Sequence, residues 1–548
     1  MSASTASGSD DDYRSRAQQS PLASQRAKQG GAPPEANSKG TFAGYFPLGY
    51  KEGFSQWWAS IPAAAAEHKV LSFVPYLRQP PTQTQTDSAP PLSNGTPMPV
   101  SNDSSKEATP VKTSSSTDPY GPRYWHSNLV KLSGKNRALN EFSVERLNEV
   151  TDQNLVMLHG YGAGLGFFYK NFEGLSRVKG WKVYALDLLG MGRSSRPPFR
   201  LHAKDRQGSI TEAENWFIDA LEEWRVQRKI DRFTLLGHSL GGYMAVAYAL
   251  KYPGHLNKLI LASPVGIPED PYAVNADMPE PENSTLTNEF TQDQDDTVST
   301  SNPEIPESAK TGDKNNFLNA RSKAAAAASD GQPGEKNTPT APRKPIPKWL
   351  TYLWDANISP FSLVRWSGPF GPRLVSGWTS RRFSHLPPDQ AQALHDYSYS
   401  LFRQRGSGEY ALSYILAPGA FARSPLIRRI QGIGRQMIAP DGSVTSSIST
   451  AERRRENGVP VVLMYGENDW MDIQGGYAAV RKMTEERNNV LQNASAEERQ
   501  NDHGSAKVMV IANAGHHMYL EGWEEFNEIM RKEMNEVSER EKRRSNSS

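Results

Sequence analysis

The hexapeptide Gly237-His238-Ser239-Leu240-Gly241-Gly242 predicts the fold more directly than any other part of this sequence. It contains Gly-x-Ser-x-Gly, in which a serine occupies a strained turn between a strand and a helix while the glycines prevent clashes around it. The motif alone would occur by chance in roughly one chain in four of this length. Here a strand pattern, Phe233 to Leu236, precedes it and a helix pattern, Met244 to Leu250, follows it. Ser239 is therefore predicted to be a nucleophile.

Two later segments supply the partners that such a serine needs. A serine hydroxyl becomes an effective nucleophile when a base takes its proton, and in enzymes with this turn an acid and then a histidine follow the serine along the chain. Asp469 and Asp472 lie in the loop after one later strand pattern. His516 and His517 lie in the loop after the next one. The spacing predicts Asp469 as the acid and His516 as the base, with Asp472 and His517 as alternatives.

The tetrahedral intermediate of acyl transfer also requires donors for its oxyanion. The loop His159-Gly160-Tyr161-Gly162 follows another strand pattern, so the backbone N–H groups of Tyr161 and Leu240 are predicted to form the oxyanion hole. His159 and His238 flank the site and are interpreted as supporting hydrogen-bond partners. The loop that begins at Asp187 is interpreted as structural.

Short apolar runs separated by helical lengths indicate an α/β fold. Strands that are apolar throughout and alternate with helices indicate a mostly parallel sheet flanked by helices on both faces. The runs are Leu155 to Leu158, Val183 to Leu186, Phe233 to Leu236, Leu259 to Ala262, Val461 to Tyr465 and Val508 to Ile511. One helix is predicted to begin at Thr211, because Thr211 and Glu214 have the spacing of a capping box.

Composition divides the chain into eight parts. They are a disordered arm (1–40), an aromatic amphipathic segment (41–78), a Pro/Ser/Thr-rich linker (79–119), the first part of the core (120–269), a disordered insertion (270–345), a mostly helical cap (346–450), the second part of the core (451–535) and a charged tail (536–548). Polar, Pro-rich segments without apolar periodicity do not form a packed core.

The aromatic segment 41–78 has two interpretations. Amphipathic rings prefer the headgroup region of a bilayer, which predicts a membrane-surface anchor. The alternative is that the segment packs as helices against the catalytic domain. No stretch approaches the roughly 20 apolar residues that span a bilayer.

The overall composition restricts the partners. The chain has 62 Lys and Arg against 60 Asp and Glu, a net charge of +2, so we expect no nucleic-acid partner. It has no cysteine, which excludes disulfides, a thiolate nucleophile and a Cys-based zinc site. We expect neither a metal nor a cofactor.

These motifs resemble those of a known family. From about residue 42 to 535, apart from the insertion, the sequence is similar to the α/β-hydrolase group that includes the fungal mitochondrial cardiolipin deacylase, the animal lysophospholipase that acts on N-acyl phospholipids, and the animal lipid-droplet lipase co-activator. The resemblance depends on 237–242, on the cap phrases 357–365 and 368–372, on Asp469-Trp-Met-Asp472 and on Gly515-His-His-Met-Tyr519.

The resemblance implies the α/β-hydrolase fold and a phospholipid acyl hydrolase without a cofactor, with cardiolipin as the leading substrate. It implies a peripheral protein of the mitochondrial inner membrane, or alternatively of the cytoplasm and lipid droplets. The family also has a His-x4-Asp motif associated with acylation of lysophosphatidic acid, but here His516 is followed at that spacing by Glu521. A third possibility is a non-enzymatic scaffold that recruits a lipase. The co-activator branch lacks the nucleophile, whereas Ser239 is present here.

Overall fold

The structure is a computed structural model, and it describes residues 47–77, 111–112, 120–269, 359–417, 421–438 and 454–547. The predicted disordered arm (1–40) and insertion (270–345) lie outside the described residues. So do most of the predicted linker and parts of the predicted cap.

One sheet of nine strands forms the centre of the molecule. The strands of the chain are β1 (Val111–Lys112), β2 (Arg123–Lys131), β3 (Ala138–Arg146), β4 (Gln153–Leu158), β5 (Trp181–Leu186), β6 (Phe233–His238), β7 (Leu256–Ala262), β8 (Leu416–Ala417), β9 (Phe421–Ala422), β10 (Met437–Ile438), β11 (Arg454–Arg455), β12 (Pro460–Gly466) and β13 (Ser505–Ile511). The sheet has the order β1-β2-β3-β5-β4-β6-β7-β12-β13, while β8 pairs with β9 and β10 with β11.

The sheet is mostly parallel, as predicted. All pairs from β5 to β13 are parallel, and only β1, β2 and β3 join in antiparallel fashion. The six predicted runs all lie inside observed strands. The sequence did not reveal β2 and β3, because these strands carry charged residues such as Arg123 and Glu141 that are buried through polar contacts.

Helices cover both faces of this sheet. They are α1 (Tyr50–Ala59), α2 (Ala63–Leu71), α3 (Tyr169–Leu175), α4 (Arg206–Gln227), α5 (Leu240–Lys251), α6 (Pro360–Trp366), α7 (Gly371–Arg382), α8 (Pro388–Phe402), α9 (Leu412–Ile415), α10 (Ile473–Gln492), α11 (Ala496–Asn501), α12 (Met518–Glu521) and α13 (Trp523–Ser547). Alternate residues of β4 belong to two separate apolar cores: Val156 and Leu158 pack with α4 and α5, and Leu155 and Met157 with α2, α3 and α13.

The predicted start of α4 at Thr211 is wrong. The helix begins at Arg206, where the Asp205 carboxylate caps it by accepting the Gly208 N–H at 2.7 Å. Glu214 is not part of a capping box. Its buried carboxylate instead accepts a hydrogen bond from Tyr243 Oη at 2.6 Å and lies in an ion pair with Arg429.

Two predicted segment boundaries also change. Within the predicted linker 79–119, Val111 and Lys112 form β1 against β2. The predicted charged tail 536–548 is not a separate tail, because α13 continues through it to Ser547. Val537 is fully buried and Arg540 donates a hydrogen bond to the Asn257 carbonyl, so the end of α13 packs against the start of β7.

The segment 41–78 is helical where the structure describes it, and it packs against the rest of the molecule. Ala66 and Val70 of α2 are fully buried, and α2 contacts α8 of the cap. Helix α1 contacts α7. Among the described residues, no helix combines the length and apolarity that crossing a membrane requires.

Candidate active site

Ser239 occupies a strained turn between β6 and α5. Its φ and ψ are 52° and −114°, a combination that non-glycine residues rarely adopt and that is found mostly at functional sites. Close packing explains both flanking glycines. A Cβ at Gly237 would overlap the Gly241 backbone, and a Cβ at Gly241 would lie 2.6 Å from the Leu158 carbonyl oxygen. The sequence therefore folds into the sharp strand–turn–helix that the motif predicts.

Asp469 and His516 meet at the same edge of the sheet, on the loops after β12 and β13. The Nδ1 of His516 lies 3.1 Å from Oδ1 of Asp469, and both residues are buried. With the Nδ1 proton donated to the carboxylate, Nε2 carries the lone pair. Among the described residues, the buried Nε2 makes no hydrogen bond. The contact with Asp469 thus leaves Nε2 as the basic nitrogen, which is the tautomer that a general base requires.

The two aspartates after β12 have different environments. Asp469 accepts hydrogen bonds from the Met471 N–H at 3.0 Å and from the Ser263 hydroxyl in addition to its contact with His516. Asp472 instead caps α10, where its carboxylate accepts the Gln474 N–H at 3.0 Å. The structure therefore brings Asp469, and not Asp472, to the imidazole.

Ser263 is a residue of the site that sequence reasoning missed. It directly follows β7, the strand between β6 and β12, and its hydroxyl donates to Oδ2 of Asp469. Its φ of 46° shows a second strained turn at this sheet edge. A serine immediately after a buried strand beside the nucleophile strand was the available signal.

The rings of His238 and His517 pack against the ring of His516. The Nε2–H of His238 donates to the His516 carbonyl at 3.0 Å, which connects the residue before Ser239 to the base. Burial and the neighbouring His516 hold the pKa of His238 well below its usual range. Arg382 Nη2 lies 2.8 Å from Nδ1 of His517, and burial followed by this arginine likewise lowers the pKa of His517. Neither ring contacts Asp469 in the way His516 does.

The predicted oxyanion loop lies directly against the serine. A Cβ at Gly160 would be 3.0 Å from Cβ of Ser239, so only glycine lets the loop approach this closely. Leu240 is the first residue of α5, and the first N–H groups of a helix have no intrahelical acceptor. The structure thus places the predicted donor residues, Tyr161 and Leu240, on the two backbone segments that border Ser239.

The buried side chain of His159 stabilises the oxyanion loop through two hydrogen bonds. Its Nδ1 lies 2.7 Å from the Gly160 carbonyl, and its Nε2 accepts the Leu188 N–H at 3.0 Å. Burial lowers the pKa of His159 to about 4, so the ring is neutral at pH 7, which the accepting Nε2 requires. His159 is therefore the supporting residue that the sequence predicts.

Glu521 holds the backbone of the histidine loop. Its Oε2 accepts the Gly515 N–H at 2.5 Å, immediately before His516. Burial raises the pKa of Glu521, while the Gly515 N–H and Arg382 oppose that rise. Glu521, the acid of the His-x4-Glu pattern, therefore stabilises the backbone of the loop that carries His516.

Three arginines of the cap have different environments. Arg365 pairs with Glu409 at 2.6 Å, and the guanidinium of Arg373 stacks over Tyr50 at 3.9 Å from the ring centroid. Arg382 lies over Trp378 and beside His517. Of these three, Arg382 is the one that lies beside a histidine of the site, His517.

Comparison with known proteins identifies the fold family of the chain. A family described as having the alpha/beta hydrolase fold matches residues 153–522. The 1-acylglycerol-3-phosphate O-acyltransferase of Arabidopsis thaliana is 34% identical over 335 residues, which are 60% of this chain and 58% of that protein. The chain thus spans less than two thirds of this plant relative.

Two mouse proteins are also similar. The 1-acylglycerol-3-phosphate O-acyltransferase ABHD5 of Mus musculus is 28% identical over 73% of this chain and 81% of its own length. The (lyso)-N-acylphosphatidylethanolamine lipase of Mus musculus is 26% identical over 70% of this chain and 79% of its own length. The family match includes the nucleophile turn, the acid loop and the histidine loop, and it confirms the resemblance found in the sequence. The chain therefore belongs to the α/β-hydrolase fold family.

Proposed function

We propose that this protein is a serine acyl hydrolase that removes a fatty acyl chain from a membrane phospholipid, with cardiolipin as the leading substrate. The observation that carries the proposal is the buried Asp469–His516 pair, with Nε2 unbonded, at the sheet edge where Ser239 occupies a strained turn. Nothing in a purely structural role requires these three features together. Perturbed geometry of this kind concentrates at catalytic sites.

The proposed reaction has two steps. His516 Nε2 takes the hydroxyl proton as Ser239 Oγ attacks the acyl carbonyl, and the Tyr161 and Leu240 N–H groups stabilise the oxyanion. Collapse of this intermediate expels the lysolipid alcohol, which receives the proton from His516, and leaves an acyl-serine. Water, deprotonated by His516, then attacks the acyl-serine, and the fatty acid leaves as Ser239 regains its proton.

An aromatic surface supports a membrane substrate. We define it as Tyr50, Phe54 and Trp58 of α1 with Trp366, Phe370 and Leu374 of the cap. All six side chains are at least half exposed, with Trp58 at 74% and Trp366 at 69%. Tyr50 and Phe370 meet edge to face with centroids 6.2 Å apart, so the two groups are continuous. Exposed apolar patches of this kind mark interaction sites, and amphipathic rings suit a headgroup region.

Vesicle assays test the substrate. Wild type and Ser239→Ala are incubated with vesicles of cardiolipin, phosphatidylcholine and phosphatidylethanolamine, and the products are followed by mass spectrometry. We expect the wild type to release fatty acid and monolyso-cardiolipin, and Ser239→Ala to reduce release by a factor of about 10⁴ or more. Equal release by the variant would contradict the nucleophile. Release only from the other lipids would contradict cardiolipin as the substrate.

The second candidate is acyl transfer to lysophosphatidic acid. It is favoured by the names of the plant relative and the mouse ABHD5 relative. Chemically, a lysolipid hydroxyl that replaces water would take the acyl group from the same acyl-serine. Adding lysophosphatidic acid and acyl-CoA to the assay separates the two. Phosphatidic acid formation that is lost in Ser239→Ala would support transfer from the acyl-serine, whereas formation that persists in Ser239→Ala would support a transferase that does not use the serine. No turnover, together with recruitment of a lipase, would support the scaffold.

The membrane role has its own test. Replacing Trp58 and Trp366 by alanine should weaken sedimentation with vesicles by roughly tenfold, because two amphipathic rings lose their burial. Val226→Ala, at an exposed apolar side chain on α4, is the matched control.

We propose the mitochondrial inner membrane as the location, with lipid droplets and cytoplasm as the alternative. Fractionation of cells that express the tagged chain distinguishes them.

A further inference from the structure

A buried hydrogen-bond hub connects the N-terminal helices to the oxyanion loop. Its centre is Glu67 of α2, which is 1% exposed. Arg193 Nη1 donates to its Oε1 at 2.6 Å, and Asn140 Nδ2 and Tyr397 Oη donate to its Oε2 at 3.1 and 3.0 Å. A buried carboxylate is costly unless it is paired and hydrogen-bonded, and Glu67 meets both conditions.

The hub continues to Asp187. Asn140 Nδ2 also donates to Oδ2 of Asp187 at 2.8 Å, and the Arg193 N–H donates to the same oxygen at 2.7 Å. Asp187 Oδ1 in turn accepts the Leu165 N–H at 2.7 Å. Leu165 lies four positions after Tyr161, the predicted oxyanion donor, and begins the 3₁₀ helix Leu165–Phe168. This helix directly continues the oxyanion loop and is counted with it below.

Tyr397 of the cap helix α8 provides a second connection to the same loop. Its hydroxyl lies 3.4 Å from the Gly166 nitrogen while it donates to Glu67. A Cβ at Gly166 would come within 2.8 Å of the Tyr397 ring, so the loop and the cap helix pack closely at this point. Glu67 is therefore joined to the oxyanion loop through Asp187 on one side and through Tyr397 on the other.

The two buried carboxylates of the hub, Glu67 and Asp187, both depend on Arg193 for part of their stabilisation. Burial raises the pKa of Glu67, and the Arg193 guanidinium opposes the rise. Burial likewise raises the pKa of Asp187 against the hydrogen bonds of the Arg193 N–H and Asn140. One arginine thus serves two carboxylates that belong to different segments of the chain. Removing a donor would cost a buried carboxylate one of the hydrogen bonds that offset its burial.

We propose that Glu67 is a positioning residue for the oxyanion hole, so that the N-terminal helix pair is part of the catalytic apparatus as well as a membrane-facing element. The proposal rests on the proposed function, because it assigns Glu67 a role in acyl transfer. Glu67 does not touch the substrate. It acts by fixing the loop that carries the Tyr161 N–H, where a displacement on the order of 1 Å would misalign the donor.

The test uses the full chain and two variants of the hub. Tyr397→Phe removes only the hydroxyl that lies between Glu67 and the loop. Glu67→Gln replaces one accepting oxygen by an NH₂ group, which faces the three side chains that donate to Glu67. Tyr399→Phe on the same helix is the control for the first, and Glu528→Gln, an exposed acid on α13, for the second. The readouts are kcat and KM for a soluble short-chain ester, the rate of Ser239 labelling by a fluorophosphonate, vesicle binding and the unfolding midpoint.

We expect Tyr397→Phe to lower kcat and the labelling rate by roughly tenfold, below the 10² to 10³ that loss of an oxyanion donor costs. Glu67→Gln should lower both further. KM and vesicle binding should stay within twofold of wild type, and the controls should leave kcat, KM, the labelling rate and vesicle binding unchanged. A structural role alone would lower the unfolding midpoint without changing kcat in the folded protein.

Each contrary result has a distinct meaning. If the hub variants lower the unfolding midpoint but leave kcat and labelling within twofold, the positioning role is overturned. If the wild type labels and cleaves the soluble ester but releases no fatty acid from vesicles, only the lipid substrate is overturned, and the hub variants still decide the positioning role. If the wild type does not label at all, both are overturned, because there is then no acyl transfer for the loop to serve.

Discussion

The two halves of the candidate site are held in place by different means. In the acid–base half, Asp469 and His516 lie on loops after the neighbouring strands β12 and β13 and contact each other directly. In the oxyanion half, the loop at Tyr161 depends on Glu67 and Tyr397, which are 330 positions apart in the chain. The meeting of the two loops in the first half follows from strand order. The second requires tertiary contacts between segments that the sequence does not connect.

The largest effect is expected in the acid–base half. Asp469→Asn should lower kcat by about 10⁴, because the amide no longer stabilises the imidazolium or the required tautomer. Asp472→Asn should stay within twofold of wild type, since asparagine also caps a helix well. Ester hydrolysis by the two purified variants measures this difference. Similar losses in both variants would mean that the acid role is shared and that this half is less local than the contacts indicate.

A second prediction concerns the acid sensitivity of the contact between α1 and the cap. His395 of α8 is fully buried between Thr379 Oγ1 at 2.8 Å and Gln56 Oε1 at 2.9 Å, and so joins α1 to the cap. Burial lowers its pKa to about 4, with Asp396 opposing and Lys69 adding to the shift. The unfolded chain therefore binds more protons between pH 6.5 and 4. The stability from the neutral ring is complete above pH 6.5 and is lost as pH falls toward 4.

Comparing wild type with His395→Gln isolates this contribution. The difference in free energy of unfolding should shrink by about 3 kcal/mol between pH 7 and pH 4. Urea unfolding at both pH values measures it. A difference that does not change with pH would show that His395 does not titrate with the fold, and that acid does not weaken this connection.

The smallest effect is expected at Glu521. Glu521→Ala should lower kcat by roughly tenfold, because the Gly515 N–H before His516 loses its acceptor. Glu521→Gln should stay within about twofold, since its amide oxygen can accept the same N–H. Assays of ester hydrolysis and acyl transfer on both variants check this. A Gln variant as impaired as the Ala variant would show that the charge itself is needed, and would favour a transferase role for the His-x4-Glu pattern.

Motif order explains what could be predicted from the sequence. Ser239, the parallel strands and the candidate acid and base each follow a strand pattern, so their meeting at one sheet edge was predictable. The choice between Asp469 and Asp472 was not settled by spacing, because it depends on which carboxylate caps α10. Ser263 was missed because it lacks a motif. Glu67 gave no signal at all, because its partners are distant in sequence and its burial depends on their folding.

The bond between Glu67 and Tyr397 also has a consequence for biosynthesis. At about 5–20 residues per second, a ribosome needs roughly 20–60 s to make the 330 positions that separate them. Throughout that interval α2 has emerged without the cap helix that covers it, and the rings of Phe54 and Trp58 on α1 are free to meet a chaperone or a bilayer. The oxyanion half is therefore completed late in synthesis, after the aromatic helices have had time to find a surface.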